Sequence, residues 1–208
     1  IVGNKYLSDF ASKYNNNVVI IPTTIDLEHH HNLWSTVDNN KLVIGWTGTH
    51  TTMNYLDALL PALERLEKEF DFEFRVISNK RPDFELKSLH YVPWTKEKEI
   101  QDLAEINIGV MPLVEDQWSK GKCGFKALQY MSLGIPSVIS PVGVNTEIIE
   151  NQVNGFLADT SEEYYTVLKR LLNDQDLRLQ IGKSGHETIK ERYSVKANYI
   201  KYKRLFQE

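Results

Sequence analysis

Lys120, Lys122, Gly124 and Lys126 stand together in the run KGKCGFK, and an apolar pattern of helical period follows at once in FKALQYMSLGIP, where Phe125, Leu128 and Met131 recur every third residue. A helix start carries unpaired backbone N–H groups and the positive end of the macrodipole, so carboxylates are favoured there and lysines are not. Lysines in that place are stabilised by an anion, and a glycine lets the anion come close to the backbone. The chemistry such a set can do is to hold a phosphate. The opposing reading is that the lysines are simply solvated, since the dipole penalty is only ~0.3–1 kcal/mol per group. Lys126 and Gln129 lie three apart on the helix, hence on one face, where they could address a phosphate and a sugar hydroxyl or form the helix's solvent side.

Other chemistry-bearing residues are more scattered. Glu115 and Asp116 precede the lysine loop and could bind sugar hydroxyls or act as acid and base, although neighbours in sequence seldom face one site together. Trp94 and Trp118 could stack on a base or a sugar, or cover a core edge. Gly45-Trp46-Thr47-Gly48-Thr49 is a glycine-bearing turn that does not complete a dinucleotide fingerprint. His29, His30 and His31 follow Glu28, but adjacent side chains converge poorly on one ion and no spaced ligand completes a set, so no metal site is expected. The single cysteine, Cys123, excludes an internal disulfide, points to a reducing compartment, and has no histidine partner that would make it a nucleophile.

The elements that must position these residues alternate. KLVIGW, FEFRVIS, LHYVPW, INIGVMP, PSVIS and NGFLA read as strands. Helical patterns lie between them over Met53–Phe70, with a kink at Pro61, over Lys96–Glu105, after Gly124, and briefly over Thr146–Asn151. Thr51 or Thr52 is expected to cap the first of these helices, and Ser161 one that runs to Leu172. Asp174–Tyr193 and Val195–Gln207 read as two further amphipathic helices. Upstream, Lys5–Tyr14 reads as a helix and Val18–Ile21 as a short buried strand. Apolar strands without alternation, separated by helices, make an α/β fold with a Rossmann-like parallel sheet in three layers. Ligands of such sheets sit at the carboxyl ends of strands. Thr47–His50, Val92–Trp94, Pro112–Gly124 and Pro141–Asn145 should therefore converge on a pocket.

Length and composition suit one globular domain with a small addition: 208 residues, 41% hydrophobic. A net charge of -4 gives no general attraction to nucleic acid or anionic membranes. No apolar run is long enough for a bilayer span, and there is no signal-peptide pattern, so a cytoplasmic setting is expected. The chain opens at Ile1 without Met and is expected to be a piece of a longer protein.

Taken together, the segments resemble the C-terminal, nucleotide-sugar-binding half of family 4, or group 1, glycosyltransferases with the two-domain GT-B fold. Val18–Asp26, VVIIPTTID, is similar to the family's crossover between domains. Ile44–Thr51, IGWTGTHT, is similar to its glycine loop beneath the diphosphate, and Phe125–Asp159 to its most specific segment. The resemblance implies an N-terminal-domain remnant at 1–21, a linker at 22–40, a donor-binding domain at 41–193 and a C-terminal helix at 194–208. It implies retaining transfer of a sugar from a UDP- or GDP-linked donor, without a metal or other cofactor. The acceptor would be a glycan or a lipid-linked molecule bound by the N-terminal half, which could also make peripheral membrane contact. Asp116 would hold the sugar and Lys126 would stabilise the departing phosphate. Gly48, Thr49, His50, Lys122, Gly124 and Phe125 would surround the diphosphate, with Val92 and Trp94 at the base and Gln129 at the ribose. The sequence departs from the family in its usual glutamate pair, which falls on Gly121 and Gln129 by ungapped matching, and in the basic pair that commonly follows the glycine loop. Those losses leave room for a GT-B nucleotide-sugar epimerase or a non-catalytic nucleotide-binding module.

Overall fold

The computed structural model describes residues 1–35 and 41–207. After α1 (Lys5–Ala11) and an irregular segment, the chain enters β1 (Leu42–Gly48), a 3₁₀ segment (His50–Ala58) and α2 (Leu60–Leu66). Next come β2 (Phe72–Ser78), β3 (Leu89–Pro93), α3 (Glu99–Ala104), β4 (Ile108–Met111), the short α4 (Gln117–Lys120) and α5 (Phe125–Ser132). β5 (Ser137–Ile139), α6 (Asn145–Ile148), β6 (Phe156–Leu157), α7 (Ser161–Asn173), α8 (Gln175–Thr188), a π-turn (Ile189–Tyr193) and α9 (Val195–Leu205) complete it.

The six strands form one parallel sheet in the order β3-β2-β1-β4-β5-β6, which is the expected Rossmann-like α/β architecture. The apolar runs of β1, β2 and β4 are buried almost throughout because helices cover both faces. The order reverses at β1. From there the chain moves outward to β2 and β3, then returns to lay β4 on the other side. Such a reversal opens a crevice at the strands' carboxyl ends. The register keeps three of those ends level, since Gly48 pairs with Ser78 and Ser78 with Pro93.

α5 is buried on nearly all sides, with Ala127, Leu128, Tyr130 and Met131 fully enclosed. Burying one such large apolar side chain is worth roughly 1.5–3 kcal/mol, which anchors the helix beside the crevice. Gly109 of β4 makes room for Tyr130, because a Cβ there would stand 2.4 Å from the ring. The Tyr130 hydroxyl accepts from the Thr47 amide at 3.0 Å, tying α5 to the end of β1.

Several expectations change. Val18–Ile21 is not a strand of the sheet, making only an isolated bridge between Val2 and Ile20. Phe125 is not core but exposed at the start of α5, so the apolar face begins at Leu128. The first helix is instead two pieces, a 3₁₀ segment that starts from Thr49 with no side-chain cap and α2 from Leu60, and Pro61 lies in the first turn of α2, where a missing N–H breaks no helical bond. α7 is capped by Thr160 rather than Ser161, in a reciprocal capping box with Glu163. Of the expected linker, residues 36–40 lie outside the described residues. Its earlier part docks firmly, with Ser35 donating to Leu133 O at 2.8 Å and Ile25 to Tyr193 O at 2.8 Å.

Candidate functional site

At the carboxyl ends of β1, β2 and β3 lies an open cleft of about 450 Å³. Thr47, Gly48, Thr49 and Thr52 form one wall, Asn79 and Trp94 a second, and Phe125, Lys126 and Gln129 of α5 a third, with Glu99 of α3 beside them. A larger hollow of about 590 Å³ lies between the crossover residues Asp26 and Leu27 and α9, away from the strand ends.

Each wall has a local cause. Gly124 adopts a left-handed conformation at φ +69° to start α5, and it offers no side chain to the helix's first N–H groups. The amides of the first turn therefore lack a side-chain cap, in a turn whose Phe125 and Lys126 line the cleft. Gly48 permits close approach, since a Cβ there would meet the Trp46 ring at 2.5 Å and Lys126 Cε at 3.0 Å. The Lys126 ammonium thus lies over Trp46, 5.6 Å from the ring centroid. Burial, with the Lys122 charge adding to it, pushes the Lys126 amine from 10.5 down to about 8. A cation held in a half-dry site with no ion-pair partner among the described residues is a receptor for an anion.

The other lysines differ from one another. Lys120 is paired with Glu115 at 2.9 Å. Lys122 has a buried ammonium with no hydrogen-bond partner among the described residues, and it lies 4.1 Å above the Tyr55 ring. The loop carrying them is braced by Asn4, whose amide donates to the carbonyls of Lys120, Gly121 and Lys122 at 3.1–3.4 Å. The extreme N-terminal segment thus supports the lysine loop.

The structure brings Gly48, Thr49, Trp94, Phe125, Lys126 and Gln129 into one lining, with Gly124 behind it. It does not bring Asp116 there. That carboxylate is exposed and caps α4, accepting from the Ser119 amide at 2.6 Å, which holds it below the usual carboxylate range. His50 turns aside to pair with Asn79, with its amide 2.9 Å from Asn79 Oδ1. Val92 packs against the core, and Trp118 is 75% exposed outside the cleft. Gln129 is only 2% exposed and donates to Glu99 Oε1 at 3.2 Å, so it is not a solvent-facing residue. Of the four loops expected to converge, Thr47–His50 and Val92–Trp94 reach the lining, Pro112–Gly124 and Pro141–Asn145 contribute no residue to it, and Asn79, from the end of β2, does.

Sequence reasoning missed Glu99, Asn79 and Tyr130. Glu99 could have been found as an acidic residue opening a helix just past a strand's carboxyl end. Tyr130 gives no such sign, being one aromatic among apolar helix positions. The histidine run gathers no metal set, and among the described residues no three His, Cys, Asp or Glu side chains come together to hold an ion. His31 is instead buried with both ring nitrogens unpartnered, edge-on to Phe125, and burial pushes it down to about 4. No described helix is long and apolar enough to cross a membrane.

Residues 41–174 match the family model described as glycosyl transferases group 1. Among solved structures, sucrose-phosphate synthase from Thermosynechococcus elongatus superposes with a TM-score of 0.79 at 13% identity, over 99% of this chain and 57% of that one. A glycosyltransferase from Rickettsia africae gives 0.78 at 14%, over 98% and 62%. Anabaena HepE in complex with UDP-glucose gives 0.77 at 16%, over 100% and 63%. The chain therefore spans 57% to 63% of the length of these neighbours. No curated protein sequence matches it significantly.

Proposed function

Because the chain belongs to the group 1 glycosyl transferases, we propose that it is the donor-binding half of a retaining enzyme that transfers a sugar from a nucleoside diphosphate sugar. The observation that carries this reading is the Lys126 ammonium, held at the uncapped start of α5 against Gly48 in the cleft at the strand ends. The diphosphate lies between the first-turn amides of α5 and the Gly48-Thr49 turn. The base lies along Trp94, and Gln129 is at the ribose. UDP is favoured as the nucleotide because HepE has been solved with UDP and UDP-glucose, and GDP is the next choice.

The barrier to transfer is departure of the nucleoside diphosphate from an oxocarbenium-like carbon. Lys126 and the amides meet the charge that grows on the phosphate, and they are in position before it forms. The charge that a metal ion could supply is met by lysine. Lys122 adds to the positive field from behind. Asp116, occupied as a helix cap, takes no part in this scheme. The acceptor, a glycan or a lipid-linked molecule, is assigned to residues beyond these 208.

Calorimetric titration of the protein with UDP, GDP and ADP tests the reading. One of the three binds the wild type, and Lys126→Ala weakens it by at least tenfold. No binding by any of them, or unchanged affinity in the variant, removes the basis for the site.

A further inference from the structure

We propose that Glu99 is the carboxylate that accepts the ribose diol of the bound nucleotide, resting on the donor reading of the cleft given above. Glu99 is the one carboxylate in the cleft lining among the described residues. Its side chain is 19% exposed, so much of its hydration is already removed. Its described hydrogen bond is the one from Gln129 Nε2 to Oε1 at 3.2 Å. Oε2 stands 3.7 Å from His30 Nε2, an ion-pair distance when the imidazole is protonated but beyond hydrogen-bond reach. A carboxylate offers roughly four acceptor sites, and a half-buried one with most of them unfilled is a costly arrangement until donors arrive. A vicinal diol supplies two O–H donors on one edge, which matches two carboxylate oxygens.

Two other residues of the same lining favour a ribose over another diol. Trp94 is 41% exposed in the same lining and offers a face for a base. Lys126 lies one helical turn before Gln129 on the same face of α5 and offers a charge for phosphate. An aromatic face, a diol acceptor and a cation in one lining match the three kinds of group in a nucleoside diphosphate.

Glu99 and Gln129 also constrain each other. A glutamate at 129 would set two carboxylates at hydrogen-bond distance, where like charges cannot both stay ionised. A neutral amide at 129 avoids that repulsion and donates to the carboxylate instead. Gln129 in turn holds Glu99 through its Nε2 and keeps a carbonyl oxygen to accept a second hydroxyl.

The test is calorimetry on the wild type, Glu99→Gln and the Glu99→Gln/Gln129→Glu pair. The probes are whichever of UDP, GDP and ADP binds most tightly, its 2′,3′-dideoxy counterpart, and the matching nucleoside diphosphate glucose. The wild type prefers the ribonucleotide by about tenfold. Glu99→Gln keeps an acceptor for Gln129 and so keeps its melting temperature, yet loses that preference by weakening only the ribonucleotide. The exchanged pair restores the preference. Equal loss for both nucleotides, or no loss for either, overturns the proposal. A loss confined to the glucose conjugate assigns Glu99 to the transferred sugar and overturns it as well. A wild type that binds none of the probes instead removes the donor reading, and Glu99's role with it.

Discussion

Lys126 makes a prediction whose sign is set by its surroundings. Its amine titrates near 8 in the unliganded protein, against an ordinary 10.5, because burial and the Lys122 charge disfavour the ammonium. A bound diphosphate supplies the missing counter-charge and returns the amine at least to its ordinary range. Only the ammonium binds well, and its population falls from about nine-tenths at pH 7 to about one-tenth at pH 9. Nucleotide affinity should therefore fall about tenfold between those values. The phosphate itself finishes ionising near pH 6, so its titration strengthens binding as pH rises and cannot mimic the fall. Arginine at 126 stays charged and should bind with no such slope, while methionine should bind about ten- to a hundredfold more weakly at every pH. The unliganded protein should respond in the opposite direction. The folded value lies below the unfolded one, so the cost of burying the ammonium is fully present below pH 8 and is relieved as pH rises toward 10.5. Lys126→Met should remove that rise in thermal stability and raise the melting point at pH 7. Titration calorimetry at pH 7, 8 and 9 decides the matter. Equal wild-type affinity at pH 7 and pH 9, or the same fall in Lys126→Arg, would refute the reasoning.

Three further variants probe the frame around the cleft. His31 is neutral in the fold, with a value near 4 against 6.5 unfolded, so it takes stability away as pH falls from 6.5 toward 4. Urea unfolding should show about 2 kcal/mol less stability from this group at pH 5 than at pH 7, a loss that His31→Leu abolishes. Tyr130→Phe leaves the buried Thr47 amide without its 3.0 Å acceptor, and should cost about 1–3 kcal/mol in chemical denaturation while weakening nucleotide binding through the β1 turn. Gly124→Ala forces a Cβ into the left-handed region and to 2.4 Å from Ile148 Cδ1. It should destabilise by at least about 1–2 kcal/mol, whereas Gly121→Ala, at φ -76° with its nearest contact at 3.4 Å, should melt like the wild type.

The parallel sheet was legible because it depends on short-range regularities. Runs such as LVIGW and IGVM have no polar face, and only strands covered on both sides use such runs. The start of α5 was legible for the same kind of reason, since lysines placed against a helix dipole stand out without any knowledge of the fold. Other features depend on contacts far apart in sequence. Gln129 and Glu99 are 30 residues apart, and nothing local to either indicates the bond between them. Asp116 reads locally as a free carboxylate after a strand, but the helix it caps is only four residues long and gives no periodic signal. His31 lay in a polar run that suggested an exposed loop, yet the docking of Ser35 and Ile25 on distant elements buries it.

The charges of the cleft are arranged by exclusion as much as by attraction. Lys120 is neutralised by Glu115, and Lys122 is turned against Tyr55, so of the lysine run only Lys126 enters the lining. Asp116 is occupied by the Ser119 amide, and Gln129 is neutral, so among the described residues the lining's one carboxylate comes from α3. Among the described residues, a single cation and a single carboxylate then line one cleft without pairing with each other. Had Lys126 and Glu99 met in an ion pair, a diphosphate would have had to break it, at a cost of several kcal/mol for partly buried charges. Holding them on separate helices keeps Lys126 free for phosphate and Glu99 free for hydroxyls. It also predicts that a carboxylate introduced at Thr52, in the same lining, would pair with Lys126, raise its titration above 8 and abolish nucleotide binding. Retained binding in Thr52→Glu would mean that the phosphate charge is met by the backbone amides and not by this lysine.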